Sequence, residues 1–499
     1  MLIYEQAAAL VFQPYVLGVI VAAAAFGMLV GAIPGLTATM ATALLVPMTF
    51  FMDPVPAIAA IVTATAMAIF AGDIPSALLR MPGTPSSAAY VDDAYKMTHS
   101  GRGDEALGAA LVFSAIGGLF GSIVLMTLAP SLAEVALRFS SEEYFWLVLL
   151  GLSCAVFVTP SSPTRGLISL LFGLFVATIG MENPSGEPRF SFGNLEMMAG
   201  IQFIPAMIGL FAVSEILRTV TATIPRQKIP RSDGQGIFRS QWRNLKKYPV
   251  QMLRGNITGT AIGILPGAGA DMASWISYAI SKRFSKEPKK FGTGHVEGLV
   301  EAGASNNSAV SGAWIPALVF GIPGDSITAI VIGVLYIKGI NPGPTIFIND
   351  PQTVYAIFMV FILANLIMLP LGWLAIRGAR PILSIPQSML MPMILIFCIV
   401  GAFAIANSVA GIIMMLVFGI IGFFMEENDI PIAPAILGMV LGPMLEQNFI
   451  TSMIKADGDV LRFFERPIAG GLGAFTILIW CVPLVMMLMR RRKKAALAV

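Results

Sequence analysis

Four Pro-Gly pairs, Pro34-Gly35, Pro82-Gly83, Pro266-Gly267 and Pro323-Gly324, stand in or beside long apolar runs. Proline removes a backbone donor and glycine tolerates sharp turns, so each pair can end one half-helix and begin another. The new N-terminus exposes N–H groups with partial positive charge, and such ends bind anions. Small polar or acidic side chains flank every pair: Thr37 and Thr39, Ser86 and Ser87, Asp271 and Ser274, then Asp325, Ser326 and Thr328. A further cluster, Ser305-Asn306-Asn307-Ser308, precedes the fourth pair. Such groups can donate to a carboxylate or, through their oxygens and freed carbonyls, coordinate a hard cation such as Na⁺. Any one pair taken alone reads better as a packing kink, and small residues also serve close helix packing. The grouping of polar residues at all four favours a site.

Ionisable groups in apolar segments are expensive and point to function. Asp73, Asp271, Asp325, Glu297 and Glu301 are of this kind. Asp271 and Asp325, beside the breaks, are the candidates for holding a coupling ion. Glu297 and Glu301 fall four apart on one helical face, and Glu297 reads as a solvated helix start after the basic stretch 282–290. Arg80, the first basic residue of the chain, can neutralise a substrate carboxylate or snorkel to an interface.

The elements that position these residues follow from composition. The chain has 499 residues, 56% hydrophobic and only 12% charged, about half the charge of a soluble domain. A soluble globular protein and polar disorder are both excluded. The apolar runs are continuous rather than alternating, so they are helices and not barrel strands. At about 20 residues per crossing they allow roughly 10 to 12 transmembrane helices. The fold class is therefore an all-α polytopic integral membrane protein with broken or re-entrant helices. Cys154, Cys398 and Cys481 lie far apart and only two histidines occur, which supports neither a disulfide framework nor a zinc site. No resident cofactor is expected, with Na⁺ or H⁺ as coupling ion. No soluble basic module is present for nucleic acid, and no Lys or Arg precedes the first apolar run to form the n-region of a signal peptide.

Eighteen of the 31 basic residues occupy three short segments, Arg226 to Arg254, Lys282 to Lys290 and Arg490 to Lys494. The positive-inside rule places these segments in the cytoplasm, whereas the N-terminal end, without Lys or Arg up to Leu79, is expected outside. Between Arg254 and Lys282 lie 27 residues without a basic group, broken at Pro266-Gly267. One crossing would put the basic flanks on opposite sides, and two need about 40 residues. A re-entrant hairpin satisfies both constraints and is favoured over a single kinked span.

The segment Gly27 to Ala41 aligns with Gly259 to Ala273 at a shift of 232, with seven of fifteen positions identical, the Pro-Gly pair included. At a shift of 241, Ile74-Pro75, Pro82-Gly83, Ala88 and Tyr95 align with Ile315-Pro316, Pro323-Gly324, Ala329 and Tyr336. Two matches in the same order indicate a duplication. Because the first copy starts near the external end and the second just after the basic linker, the copies are expected to be inverted. The organisation expected is a first transmembrane repeat at 1–225, a basic cytoplasmic linker at 226–254, a second repeat at 255–489 and a basic cytoplasmic tail at 490–499. Inverted repeats with matching broken helices are the architecture of secondary transporters, whose sites lie where the halves meet.

Gly31-Ala-Ile-Pro-Gly35, Pro82-Gly-Thr-Pro-Ser-Ser87, Asn306-Asn307 followed by Ile315-Pro-Ala-Leu-Val-Phe-Gly-Ile-Pro-Gly324, and Ala433-Pro-Ala-Ile-Leu-Gly-Met-Val-Leu-Gly-Pro-Met-Leu-Glu-Gln-Asn448 resemble the large membrane subunit of the tripartite tricarboxylate transporters. The likeness runs in order from about residue 15 to 485. It implies a multi-pass permease of a prokaryotic inner membrane that works with a small four-span membrane subunit and an extracytoplasmic solute-binding protein. It also implies citrate-like tri- or dicarboxylates or other organic anions as substrates, moved by a cation gradient. Two departures stand out: Arg80 where the family often has an Asn-like residue, and Ala302-Gly303 where a Pro-Glu pair often precedes the two asparagines. The substrate's identity is therefore not carried over.

Together these readings place substrate at Pro34, Gly35, Thr37, Thr39, Pro82, Gly83, Ser86, Ser87, Pro266, Gly267, Asn306, Asn307, Ser308, Pro323, Gly324, Ser326 and Thr328. A passive organic-anion channel is the alternative function. An enzyme is not expected. Gly267-Ala-Gly-Ala-Asp271 lacks the Asp directly after the second Gly that an intramembrane aspartyl protease needs, and no Walker motif for ATP is present.

Overall fold

The computed structural model describes residues 2–158, 162–181, 186–221, 236–383 and 387–496. Residues 226–235 of the expected linker and 497–499 of the expected tail lie outside them. Among the described residues the chain is helical, with one isolated bridge between Gly180 and Arg189 and no strand. Seven helices of the described residues are long and apolar enough to cross a membrane, and four shorter apolar ones, Ala38–Phe50, Pro163–Ala177, Ser326–Ile337 and Pro467–Cys481, add to them. The chain is an all-α polytopic membrane protein.

The site is carried by α1 (Pro14–Ala32), α2 (Ala38–Phe50), α3 (Pro54–Ala71), α4 (Asp73–Leu79), α5 (Val91–Met97), α6 (Gly103–Ala136), α7 (Ser214–Thr221), α8 (Ile237–Lys247), α9 (Pro249–Ile264), α10 (Gly269–Phe284), α11 (Val296–Phe320) and α12 (Ser326–Ile337). Helices end at both first-position breaks because Pro34 and Pro266 cannot donate. Gly35 and Gly267 then take left-handed backbone, φ 90° and 83°, which a side chain would strain.

The segment between the two basic flanks is a hairpin. Helix α9 runs alongside α11 in the same direction, with Gly255, Gly259 and Gly263 against the backbone of Glu301, Ser305 and Ala309. Helix α10 returns, with Gly269 against Asp325 at the tip and Tyr278 against Gly298 lower down. Both ends of the hairpin reach one carboxylate: Gln251 Nε2 donates to Glu297 Oε1 at 2.9 Å and Ser285 Oγ donates to Glu297 Oε2 at 2.6 Å. Glu301 accepts two bonds of 2.5 Å from the Arg254 guanidinium. Glu297 is therefore not a solvated helix start. It is buried, because the hairpin base closes over it.

The first copy folds the same way. Gly27 and Gly31 of α1 lie against the backbone of Ala64 and Ala68 in α3, the positions that match Ser305 and Ala309 at the 241 shift. Thr42 of the returning α2 meets Thr65 of α3 at 3.0 Å. A Cβ on Gly83 would stand 2.6 Å from Gly72 Cα and 2.7 Å from Gly31 O, and one on Gly324 would stand 2.8 Å from Ala313 Cα and 2.9 Å from Gly263 O. Both partners correspond between the copies, so the duplication extends to packing.

The copies are inverted. Beyond its break the second copy continues as α12, whose end places Lys338 Nζ on the carbonyls of Phe50, at 2.8 Å, and Met52 at the base of the first hairpin. Beyond its own break the first copy continues through α5, where Lys96 Nζ donates to Gly292 O at 2.5 Å and Asp93 accepts the N–H groups of Gly292, Gly294 and His295 at the base of the second hairpin. Each copy thus runs from its own base, past the break, to the other's base. The two hairpin tips point at each other from opposite ends of the bundle. Basic residues gather at the second base, where α8 packs on the start of α6 through Gln241 Nε2 and Glu105 O at 3.0 Å.

Candidate functional site

The tips meet around a cavity of about 300 Å³. Thr37 and Thr39 of the first break, Thr84 and Pro85 of the second, Gly267 to Asp271 of the third and Asp325 and Ser326 of the fourth all line it. Capping sets the geometry at the first and fourth breaks. Thr37 caps α2 by accepting the Met40 N–H at 3.2 Å. Asp325 and Thr328 form a capping box on α12, with Thr328 N–H donating to Asp325 Oδ1 at 2.8 Å. Helix α10 starts at the third break, among residues that line the cavity, without a side-chain cap on its first N–H groups.

The breaks pair across the copies. Thr39 Oγ1 lies 3.2 Å from Ser326 Oγ, joining the first break to the fourth. Asp271 Oδ1 accepts the Ser86 N–H at 3.1 Å, and Trp275 Nε1 donates to Pro85 O at 3.1 Å, joining the third to the second. Asp271 occupies the place of Thr39 at the 232 shift. The two bridges therefore start from matching positions, a hydroxyl in one copy and a carboxylate in the other, and end one residue apart, since Ser326 matches Pro85 and not Ser86.

Four acids, Glu215, Asp271, Asp325 and Glu426, and no basic side chain line this cavity. A second cavity of about 280 Å³ lies behind the first break, lined by Pro34, Gly35, Arg80, Met81, Pro82, Glu215, Arg218 and Thr219. Glu215 borders both. Its carboxylate sits 2.9 Å from Arg218, which also faces Glu426 at 4.0 Å. Sequence reasoning missed Glu215, Arg218 and Glu426; a lone acid in the apolar run Phe203–Thr221 was the available signal for the first. Arg80 caps α4 in left-handed conformation and pairs with Asp92 at 2.7 Å, its head more than half exposed.

The remaining expected residues serve packing or lie off the cavities. Gly83 and Gly324 hold the close approaches described above, and Gly324 O accepts the Gly267 N–H at 2.7 Å. Pro266 packs near Gly151 and Pro323 is buried. Ser87 bonds Ser76 Oγ at 2.9 Å. Asn306, Asn307 and Ser308 line neither cavity. They lie mid-way along α11, buried, where Asn307 Nδ2 donates to Ala66 O at 3.4 Å. Ala66 is the counterpart of Asn307 at the 241 shift, so the copies cross at this pair.

Opposed broken helices enclosing a polar cavity inside an apolar bundle define a membrane transport protein. The family model of the tripartite tricarboxylate transporter TctA family matches residues 17–437. The chain belongs to that family and is a transporter subunit. It is similar to an uncharacterized 52.8 kDa protein in the TAR-I ttuC' 3' region of Agrobacterium vitis, 33% identical over 471 residues, covering 94% of this chain and 93% of the relative. A second uncharacterized protein, from the TAR-II ttuC' 3' region of the same organism, is 35% identical over 228 residues, 45% of this chain and 94% of the relative. No solved structure matches.

Proposed function

We propose that this chain is the large permease subunit of a secondary active importer of citrate-like tri- and dicarboxylates in the inner membrane. It works with a small four-span membrane subunit and receives substrate from an extracytoplasmic binding protein. Residues 1–225 and 255–489 are its two repeats, with the basic linker 226–254 and the tail 490–499 in the cytoplasm. The observation that carries the reading is the convergence of all four breaks on one cavity.

Substrate carboxylates bind the uncapped start of α10 and the hydroxyls of Thr39 and Ser326, where helix-end N–H groups and the dipole favour an anion. The same cavity holds Asp271 and Asp325 and no base. A polyanion entering beside carboxylates in low dielectric is repelled, so it enters only with cations that screen both. That requirement is the coupling: Na⁺ or H⁺ held by Asp271 and Asp325 travels with the substrate, and the cation gradient drives uptake.

The test is counterflow in proteoliposomes carrying the chain with its small subunit and binding protein, loaded with unlabelled citrate and given labelled citrate outside. A carrier shows trans-stimulated uptake that depends on the cation gradient. Downhill flux without trans-stimulation establishes the passive channel instead.

A further inference from the structure

Asp73 opens α4 at the join with α3 and is 2% exposed. Its Oδ1 accepts the Tyr90 hydroxyl at 2.7 Å, while its Oδ2 is buried with no partner. No ion pair of the described residues includes it. The elements around it offer no counter-charge. Helices α1 and α3 carry no charged side chain. On α5, Asp92 is held by Arg80, Asp93 by the second hairpin base and Lys96 by Gly292. On α6, Asp104 and Glu105 stand at the far start, Glu105 beside Arg102 and Arg243, and Glu134 near the other end. On α11, Glu297 and Glu301 are committed to the other hairpin.

An ionised carboxylate buried in this way is strongly disfavoured unless its charge is cancelled. The partner at Oδ1 is a phenol that donates its proton, which by itself favours the carboxylate, but the bare, buried Oδ2 and the lack of any counter-charge favour the neutral acid, and the phenol dipole turns its positive end toward any metal ion placed there. Asn306 lies beside the Tyr90 hydroxyl, and both polar atoms of its amide are buried and unpartnered. One turn beyond Asp73, Ser76 begins a cluster of hydroxyls and backbone groups that extends to Thr84 at the cavity. Ser76 Oγ bonds Ser87 Oγ at 2.9 Å, Ser87 N–H reaches Thr84 Oγ1 at 3.3 Å, and Thr84 Oγ1 lies 2.9 Å from Ser86 Oγ, next to the Asp271 contact.

We propose that Asp73, with Tyr90 and Asn306, is a proton-binding site one helical turn from the Ser76–Ser87–Thr84–Ser86 cluster that borders the substrate cavity. The carboxylate takes one proton from water on the open side, forming an O–H bond and passing from charge −1 to 0. It returns that proton to water when the cavity opens to the other side. Trp314 stands at the matching position of the second copy, so this acid has no counterpart there. The site deepens the carrier reading and rests on it for its role in coupling, though not for its protonation.

Infrared difference spectra of the purified chain at neutral pH test the protonation without any substrate. The expected result is a carboxylic-acid carbonyl band, sensitive to D₂O, that disappears in Asp73→Asn and moves to higher frequency in Tyr90→Phe as one hydrogen bond is lost. A wild-type spectrum whose acid bands are unchanged by both variants overturns the proposal, and Tyr90→Phe decides alone if Asp73→Asn fails to fold. In proteoliposomes, Asp73→Asn should keep citrate counterflow and show reduced acceleration by an inward proton gradient; undiminished acceleration overturns the coupling role. Absence of counterflow in the wild type removes the carrier reading and leaves the infrared result standing.

Discussion

Asp271 accepts the backbone N–H of Ser86 at 3.1 Å, tying the first break of the second copy to the second break of the first. The bond crosses the interface between copies at the edge of the cavity, so it must loosen whenever the halves separate. Asp271→Asn keeps an acceptor and removes the charge. Uptake of labelled citrate should fall by at least about tenfold, the equivalent of ~1.4 kcal/mol, while the amount of folded protein in the membrane stays the same. Asp325→Asn should behave alike, because Asn caps a helix as well as Asp does and only the charge is lost. Wild-type uptake in both variants removes these residues from the ion site.

Gly83 and Gly324 hold related close approaches to backbone atoms. Alanine at either position overpacks the break. Each variant should lose about 1–3 kcal/mol, read as a lowered unfolding temperature in detergent. Gly18 has nothing within 4 Å of an added Cβ, so Gly18→Ala serves as the control and should not lower it.

The Arg254–Glu301 pair closes the second hairpin, with side chains 26% and 0% exposed. Removing one partner leaves the other charge stranded. Glu301→Ala should destabilise by about 3 kcal/mol, the lower end for a buried pair because Arg254 keeps some solvent. Replacing both residues with methionine should recover most of that loss in the same thermal assay.

Inversion predicts that the two hairpin bases lie on opposite sides of the membrane. Phe51 is 76% exposed at the first base, and Lys286 is exposed at the second. In a background without Cys154, Cys398 and Cys481, Lys286→Cys should react with an impermeant thiol reagent only from the cytoplasm and Phe51→Cys only from outside. Labelling of both from one side would falsify the inversion.

Much of this was legible in the chain because apolar length and charge placement act over short stretches. The 27 residues between Arg254 and Lys282 were too short for two crossings and wrongly flanked for one, and they fold as the hairpin. Glu297 was misread as solvated because nothing near it in sequence announces Gln251 and Ser285. The two asparagines were expected at the cavity because polar groups in apolar helices usually face one. They lie instead where α3 and α11 cross, a position set by how two halves more than 200 residues apart dock.

The sequence by itself determined a helical membrane protein, duplicated, with helices broken at four known points, because turns and transfer into lipid depend on local residue types. The tertiary structure alone decided which break faces which, that Asp271 reaches Ser86 while Thr39 reaches Ser326, and that Asp73 lies buried against Tyr90 with one oxygen unpartnered. Those relations arise from close approach of distant backbones at glycine, and no local pattern records the distance between them.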